Sequence, residues 1–396
     1  MKRLERINAT ILKNETHRLG DYIREVNVRN RELKVTRLLG LSIEKRFIPS
    51  IANTIGTDMA GYKVVCEGQF AYVPVTSRNG EKITVALLED CDEAIISQAY
   101  TVFEVVDCDK LLPEYLMMWF RRPEFDRYAR FHSHGSAREV FDWDELCDVQ
   151  LPVPSIERQR EIVSEYETLT RRIRLNEQMI EKLEATAQAL YRHTFVDNID
   201  KQNLPQGWRM GTIGNFGEVI TGKTPSTLDD SNFGDYMPFL TIPDMHDGMY
   251  ALKTERSLSI KGVALQRNKT IPKNSICVSC IGTSGLVVIT TQDCQTNQQI
   301  NTIVPNKEYA LEYIYMTCCG LDKIISEYGI GGAVLNNLNK SEFENLQVVM
   351  PPDDEVRKFH KLISPIFRAL YLNQQENIKL TELQSLLLAK MGKKKI

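Results

Sequence analysis

Gly217, Gly222, Lys223 and Thr224, within GEVITGKTPS (217–226), fit the phosphate-loop spacing G-x-x-x-x-G-K-[ST]. That chemistry needs a strand delivering the chain to a glycine turn, and a helix leaving it with backbone N–H groups aimed at phosphate oxygens. Neither flank offers this. Upstream, WRMGTIGNF (208–216) holds two glycines and no run of four apolar residues, a poor fit to a central buried strand. Downstream, PSTLDDSNFGDYMPF (225–239) opens on Pro225, lacks a 3.6-residue apolar period and carries Gly234 and Pro238, so no helix of ordinary length starts there. A P-loop nucleotide-binding protein stays open as an alternative, and the stretch calls for another explanation.

Other reactive residue types fail to assemble a site. Of nine cysteines only Cys277 and Cys280 form a C-x-x-C, with no second pair at ligand spacing, which reads as reduced thiols used as small buried hydrophobes. His132 and His134 have no further ligand types at metal spacing, and no metal is expected. No [DN]-P-P-[YFW] motif for adenine methylation occurs, and Pro243-Asp244 has no acidic-x-Lys partner in the window a nuclease metal site uses. EYGIGGAV (327–334) places Val334 where a dinucleotide fingerprint needs glycine. No catalytic residues are assigned.

The elements that must position any binding residues come from the chain's self-similarity. Residues 135–190 align without gaps on 332–387 at an offset of 197, with 12 identities in 56 pairs, among them Glu145/Glu342, Pro154/Pro351, Asn176/Asn373 and Leu183/Leu380. Weaker pairings reach further back, ISQAYTVF with TNQQINTI and VVCEGQFAY with TIPKNSICV. Each unit reads as a globular part of short β-type runs and Gly/Pro-rich loops, followed by a long helix. Residues 155–193 hold no glycine or proline, and Ile162, Tyr166, Leu169, Ile173, Asn176, Ile180, Leu183, Ala187 and Leu190 step by four and three, the heptad seam of a coiled coil. In 353–391 the equivalent seam holds Phe359, Ile363, Ile366, Leu370, Asn373, Leu380 and Leu387. There Asn377 and Gln384 weaken it, and Pro365 is expected to kink the first turns. The midpoints of antiparallel helices fall within a turn of both asparagines, so Asn176 and Asn373 are expected to meet and lock the register.

Composition is that of an ordinary globular protein: 396 residues, 42% hydrophobic, 26% charged, net charge -3. No signal-type apolar region and no run of 18 apolar residues is seen, so no membrane span and a cytoplasmic location are expected. Charge is uneven. Residues 1–50 carry 12 Lys/Arg against 6 Asp/Glu, and 252–273 carry 6 against 1, basic segments of the kind that face phosphates or solvent.

With the duplication in hand, LPQGWRMGTIGNFGEVITGKTPS (204–226) and LPVPSIERQREI (151–162) make the chain resemble the specificity subunit of type I restriction-modification enzymes. The resemblance covers nearly the whole chain. It departs at Val356, which stands where Gln159 stands in the first helix, and at GDYIREVNVRN (20–30), which lacks the G-K-T-P element. The resemblance implies an α+β fold. On that resemblance, two similar globular α/β target-recognition domains (1–150 and 197–350) would alternate with two long antiparallel coiled-coil spacer helices (151–196 and 351–396) under a pseudo-twofold duplication. It further implies a non-catalytic DNA-binding subunit in which each domain reads one half of a bipartite target. Its partners would be double-stranded DNA, two modification (methyltransferase) subunits and restriction subunits. This chain would bind no cofactor, with S-adenosylmethionine, ATP and Mg on the partners. The residues expected to contact DNA, from their places in the repeat, are Lys223, Thr224, Ser284, Asn297, Gln298, Asn336 and Asn337, and in the first unit Arg29, Arg31, Arg78, Ser97, Gln98, His134 and Arg138, with Asn30 beside Arg29 as a further donor. A structural coiled-coil adaptor without DNA contact is the other alternative.

Overall fold

The computed structural model describes residues 16–50, 57–76, 82–135, 138–197, 199–283, 285–321 and 338–392. They form two compact units, one of residues 1–172 with 380–396 and one of residues 173–379. Both mix helix and sheet. Among the described residues, no helix is long and apolar enough to cross a membrane.

In the first unit the strands are β1 (Thr16–Arg18), β2 (Ile23–Val26), β3 (Leu39–Leu41), β4 (Phe47–Pro49), β5 (Lys63–Cys66), β6 (Phe70–Tyr72), β7 (Val85–Leu87), β8 (Glu93–Ile96), β9 (Thr101–Val105) and β10 (Gln150–Pro152). A four-stranded antiparallel sheet runs β2-β9-β6-β7, and β1–β10, β3–β4 and β5–β8 pair separately. Helices α1 (Pro113–Phe120) and α2 (Pro123–Phe131) each start on a proline, whose missing N–H is no loss at a first helical position. Helix α3 (Trp143–Cys147) is capped by Asp142, which accepts from Glu145 N. Phe70, Phe103 and Phe120 form the aromatic centre of the core, Phe70 stacking on Phe103 at 4.8 Å. The buried Lys45 donates to Asp126 Oδ1 at 2.7 Å and to the Phe120 carbonyl, pinning the β3–β4 turn onto α2.

Helix α4 (Ile156–Phe195) begins in this unit, packing Val163 and Tyr166 into the same core as Leu388 and Met391 of the C-terminal helix. Its Gln159 is fully buried. Leu112 N donates to Gln159 Oε1 at 2.9 Å, and Gln159 Nε2 donates to the carbonyls of Lys110 and Pro154. The helix start is thereby fastened to the loop before α1.

The second unit holds β11 (Arg209–Thr212), β12 (Gly217–Thr221), β13 (Phe233–Leu240), β14 (Tyr250–Ala251), β15 (Arg256–Leu258), β16 (Ile276–Ser279), β17 (Val287–Thr290), β18 (Gln295–Thr296), β19 (Ile300–Pro305) and β20 (Gln347–Met350). Its helices are α5 (Ile260–Ala264), α6 (Leu311–Cys319), α7 (Lys340–Glu344) and α8 (Asp353–Met391). A five-stranded sheet runs β12-β19-β16-β17-β14, a three-stranded one β15-β13-β18, and β11 pairs with β20. The core joins the end of α4 to the start of α8 through aromatic side chains. Phe195 lies 4.7 Å from Tyr313, 5.0 Å from Phe359 and 5.8 Å from Trp208. Where unit one uses Gln159, Val356 packs in the core, and a His360 Nδ1–Glu312 Oε2 contact of 2.8 Å ties α8 to α6.

All nine seam positions expected along α4 are buried or half-buried. The two long helices run antiparallel in each unit, with Asn176 beside residues 376 and 377 in the second and Thr170 beside Gln384 in the first. The expected Asn176–Asn373 lock is not the bond that forms. Asn176, 2% exposed, donates to Glu376 Oε2 and Asn377 Oδ1, each at 2.9 Å, while Asn373 donates to Ala369 O of its own helix. The cause is register. Pairing 176 with 377 sets residue 373 opposite residue 180, one helical turn away. Pro365 lies inside α8 without ending it.

Candidate nucleic-acid interface

Residues 217–221 of the phosphate-loop motif are a strand, paired antiparallel with β19 from Gly217↔Pro305 to Thr221↔Asn301. The amides that would cradle a phosphate are occupied: Gly222 N donates to Ile300 O at 3.1 Å and Lys223 N to Thr296 O at 2.9 Å. Gly222 is required by crowding, since a Cβ there would lie 2.2 Å from Asn297 O and 2.2 Å from Thr296 Oγ1. The chain then leads to a 3-10 turn at Asp230–Asn232 and strand β13, with no helix following the glycine. The nucleotide-binding alternative is therefore corrected, because the motif's donors and its glycine serve loop-to-loop packing.

What this packing builds is a polar surface. Thr224 Oγ1 donates to Gln298 Oε1 at 2.6 Å, bringing together two residues far apart in sequence, and Lys223 and Gln298 are exposed beside them. Asn297 is placed differently from the expectation. It is buried, donates to Gln299 Oε1 and accepts from Gln299 N, so its amide braces the loop instead of facing out. Gln266, absent from the sequence-based set, is buried and donates to Lys223 O at 2.7 Å and Gln295 Oε1 at 2.8 Å. Gln295 donates back to Gln266 O and Thr270 Oγ1. This glutamine pair fixes the 3-10 turn Arg267–Lys269, part of the basic segment, beside the 222–224 loop. No spacing rule would have found it; the only signal was a polar residue in a basic run.

In the first unit Arg29 Nη1 donates to Gly61 O at 2.7 Å, and Gly61 abuts Gln98 Oε1. Ser97 Oγ accepts from Ala99 N in the turn following β8. Arg29, Ser97 and Gln98 are thus gathered around residues 61–63, with Arg31 exposed on the adjoining turn. Asn30 is not an available donor. It is buried, donating to Val35 O and accepting from Val35 N, which closes the turn that carries the two arginines. His134 and Arg138 sit on a separate hairpin, where Glu145 receives His132 Nδ1 at 2.8 Å and faces His134 Nε2 at 3.3 Å. Arg78, Ser284, Asn336, Asn337 and the glycine string 327–334 lie outside the described residues.

The family described as "Type I restriction modification DNA specificity domain" matches residues 71–185 and 205–382. The chain belongs to this family. Its role is DNA recognition, and the matched domain is not a catalytic one. The HindI specificity subunit of Haemophilus influenzae is 28% identical, over 83% of this chain and 86% of that protein. The MjaIX specificity subunit of Methanocaldococcus jannaschii is 24% identical over 72% of this chain and 70% of that protein. A crystal structure of the type I S subunit from M. genitalium shares the fold, with a TM-score of 0.61 at 12% identity and 98% of each chain covered.

Within this fold the C-x-x-C cysteines and Asp244 have structural tasks. Cys277 and Cys280 are buried, and burial pushes their thiols up to about 12 and about 11, so they stay protonated. Asp244 accepts from Thr241 N, Thr241 Oγ1 and Glu255 N, bracing the turn Pro243–His246.

Proposed function

We propose that the chain is the DNA-reading subunit of a type I restriction-modification complex, with residues 1–150 and 197–350 as two independent readers of a bipartite target. The supporting observation is a correspondence of position. In the second unit Lys223 and Thr224 are held against Asn297–Gln298, and in the first Arg29 is held near Ser97–Gln98, the dipeptide aligned with Asn297–Gln298 in the internal repeat. Lys223, Thr224 and Gln298 supply donors and an acceptor suited to base edges, and Arg267 and Lys269 supply phosphate contacts. In the first unit Arg29, Arg31 and Gln98 take these parts, with His134 and Arg138 on the second hairpin.

On this reading the repeat reflects one unit duplicated, and helices α4 and α8 form the antiparallel coiled coil that sets the spacer and docks two modification subunits. Methyl transfer with S-adenosylmethionine, and ATP- and Mg-dependent restriction, reside on the partners. The setting is the cytoplasm, where the nine cysteines stay reduced. A net charge of -3 suits an assembly that shares phosphate contacts among chains.

The test is substitution at the reader. Lys223→Ala and Gln298→Ala are expected to relax or abolish selection of one half-site, at about 1–3 kcal/mol per lost base contact, and to leave the other half-site intact. Unchanged selection of both half-sites refutes the assignment.

A further inference from the structure

Leu228 is 98% exposed, and Ile260 and Leu265 are 70% and 60% exposed. Leu228 and Ile260 immediately precede Asp229 and Lys261, which form an ion pair of 2.7 Å, so two bare apolar side chains leave the surface from backbone positions drawn together. The loop that carries Leu228 is rigidly made. Asn232, buried, donates to Ser226 O at 3.0 Å, and Lys261 Nζ also donates to Ser231 Oγ. Ser259 N donates to Asn232 O and Ser259 Oγ to Ser231 O. A Cβ at Gly262 would lie 2.0 Å from Asn232 O, so glycine is needed for α5 to sit this close. These bonds position Leu228 without burying it.

We propose that Leu228, flanked by Ile260, is an apolar wedge that enters the target duplex beside the bases read by Lys223, Thr224 and Gln298 and unstacks one base step. The inference rests on the base-reading role of that loop. Three observations select DNA as the occupant. The wedge loop is continuous with the reader, Ser226 lying two residues beyond Thr224, and α5 leads into Gln266, which is bonded to Lys223 O. The segment carrying α5 is basic, with 6 Lys/Arg against 1 Asp/Glu in 252–273. Lys261 is committed to Asp229, and Asp230 adds an anion, so the loop tip is no phosphate clamp. The cations for phosphate lie on the Lys223 and Arg267 side. Leu and Ile are residue types that insert between base steps, where unstacking is offset by the contacts a bent duplex allows.

The test uses the full chain with its co-purified methyltransferase and duplexes of the methylation-mapped target, carrying 2-aminopurine at each step of the half-site assigned to the second unit. Beyond the target adenine, which the methyltransferase itself extrudes, wild type is expected to brighten one further position. Leu228→Ala should lose that signal and bind about tenfold more weakly, while keeping its base preference. No further brightened position, or the same further brightening in Leu228→Ala, overturns the wedge. So does Leu228→Glu releasing the methyltransferase while Leu228→Ala binds DNA as wild type, which would assign the surface to a protein partner. Failure of the base-reading role shows separately, as unchanged half-site selection by Lys223→Ala.

Discussion

Gly222→Ala separates the packing account of the G-K-T stretch from a phosphate site. The added Cβ would meet Asn297 O and Thr296 Oγ1 at 2.2 Å and Thr296 O at 2.4 Å. Two of these three atoms are backbone, so no rotamer change relieves the clash and the 222–224 and 296–300 segments must move apart. The bonds lost first are Lys223 N to Thr296 O and Gly222 N to Ile300 O. Overpacking of this kind costs about 1–3 kcal/mol, which lowers the local opening free energy by that amount and speeds amide exchange at 222 and 223 roughly 5- to 150-fold. Hydrogen-exchange mass spectrometry on the full chain reads this directly, and selection of the second unit's half-site should weaken in parallel. Lys223→Met should leave exchange unchanged while weakening DNA binding. Unaltered exchange in Gly222→Ala, or ATP binding that both variants abolish, refutes the reasoning.

Lys45→Met removes the ion partner of the half-buried Asp126 carboxylate, which keeps Ile83 N as a donor, and leaves the Phe120 carbonyl without its lysine donor. It should cost about 3 kcal/mol of first-unit stability, the low end for breaking a buried pair. Lys82→Met, which breaks an exposed pair with Glu44, should cost under about 1 kcal/mol. Urea unfolding followed through Trp119 and Trp143 compares them, and equal losses contradict the account. A double-mutant cycle between Asn176 and Asn377 should give about 1 kcal/mol of coupling. A coupling as large between Asn176 and Asn373 would mean the register is otherwise. Lengthening α4 and α8 by one heptad each adds ~10 Å at 1.5 Å per residue, about three base pairs. Methylation mapping should show a longer spacer between unchanged half-sites, and an unchanged spacer would show that the helices do not set it.

The long helices were the most legible part of the sequence. Absence of glycine and proline over 155–193, with steps of four and three, gave a helix found at Ile156–Phe195, and 353–391 is found as Asp353–Met391. Their mutual register was not legible, because heptads fix which face meets a partner and leave open how far one helix slides along the other. Asn377 and Gln384 looked like flaws in the seam. They are partners across it, to Asn176 and Thr170. At the candidate site, Lys223, Thr224 and Gln298 were reached through the repeat, whereas Gln266 and the bracing roles of Asn30 and Asn297 depend on contacts between distant segments that no local spacing encodes.

The most direct test of the central claim is exchange of residues 197–350 for the corresponding domain of another specificity subunit, followed by genome-wide mapping of methylated sites. Two independent readers predict that one half-site changes to the donor's sequence while the other half-site persists. A change in both half-sites, or in neither, contradicts the claim.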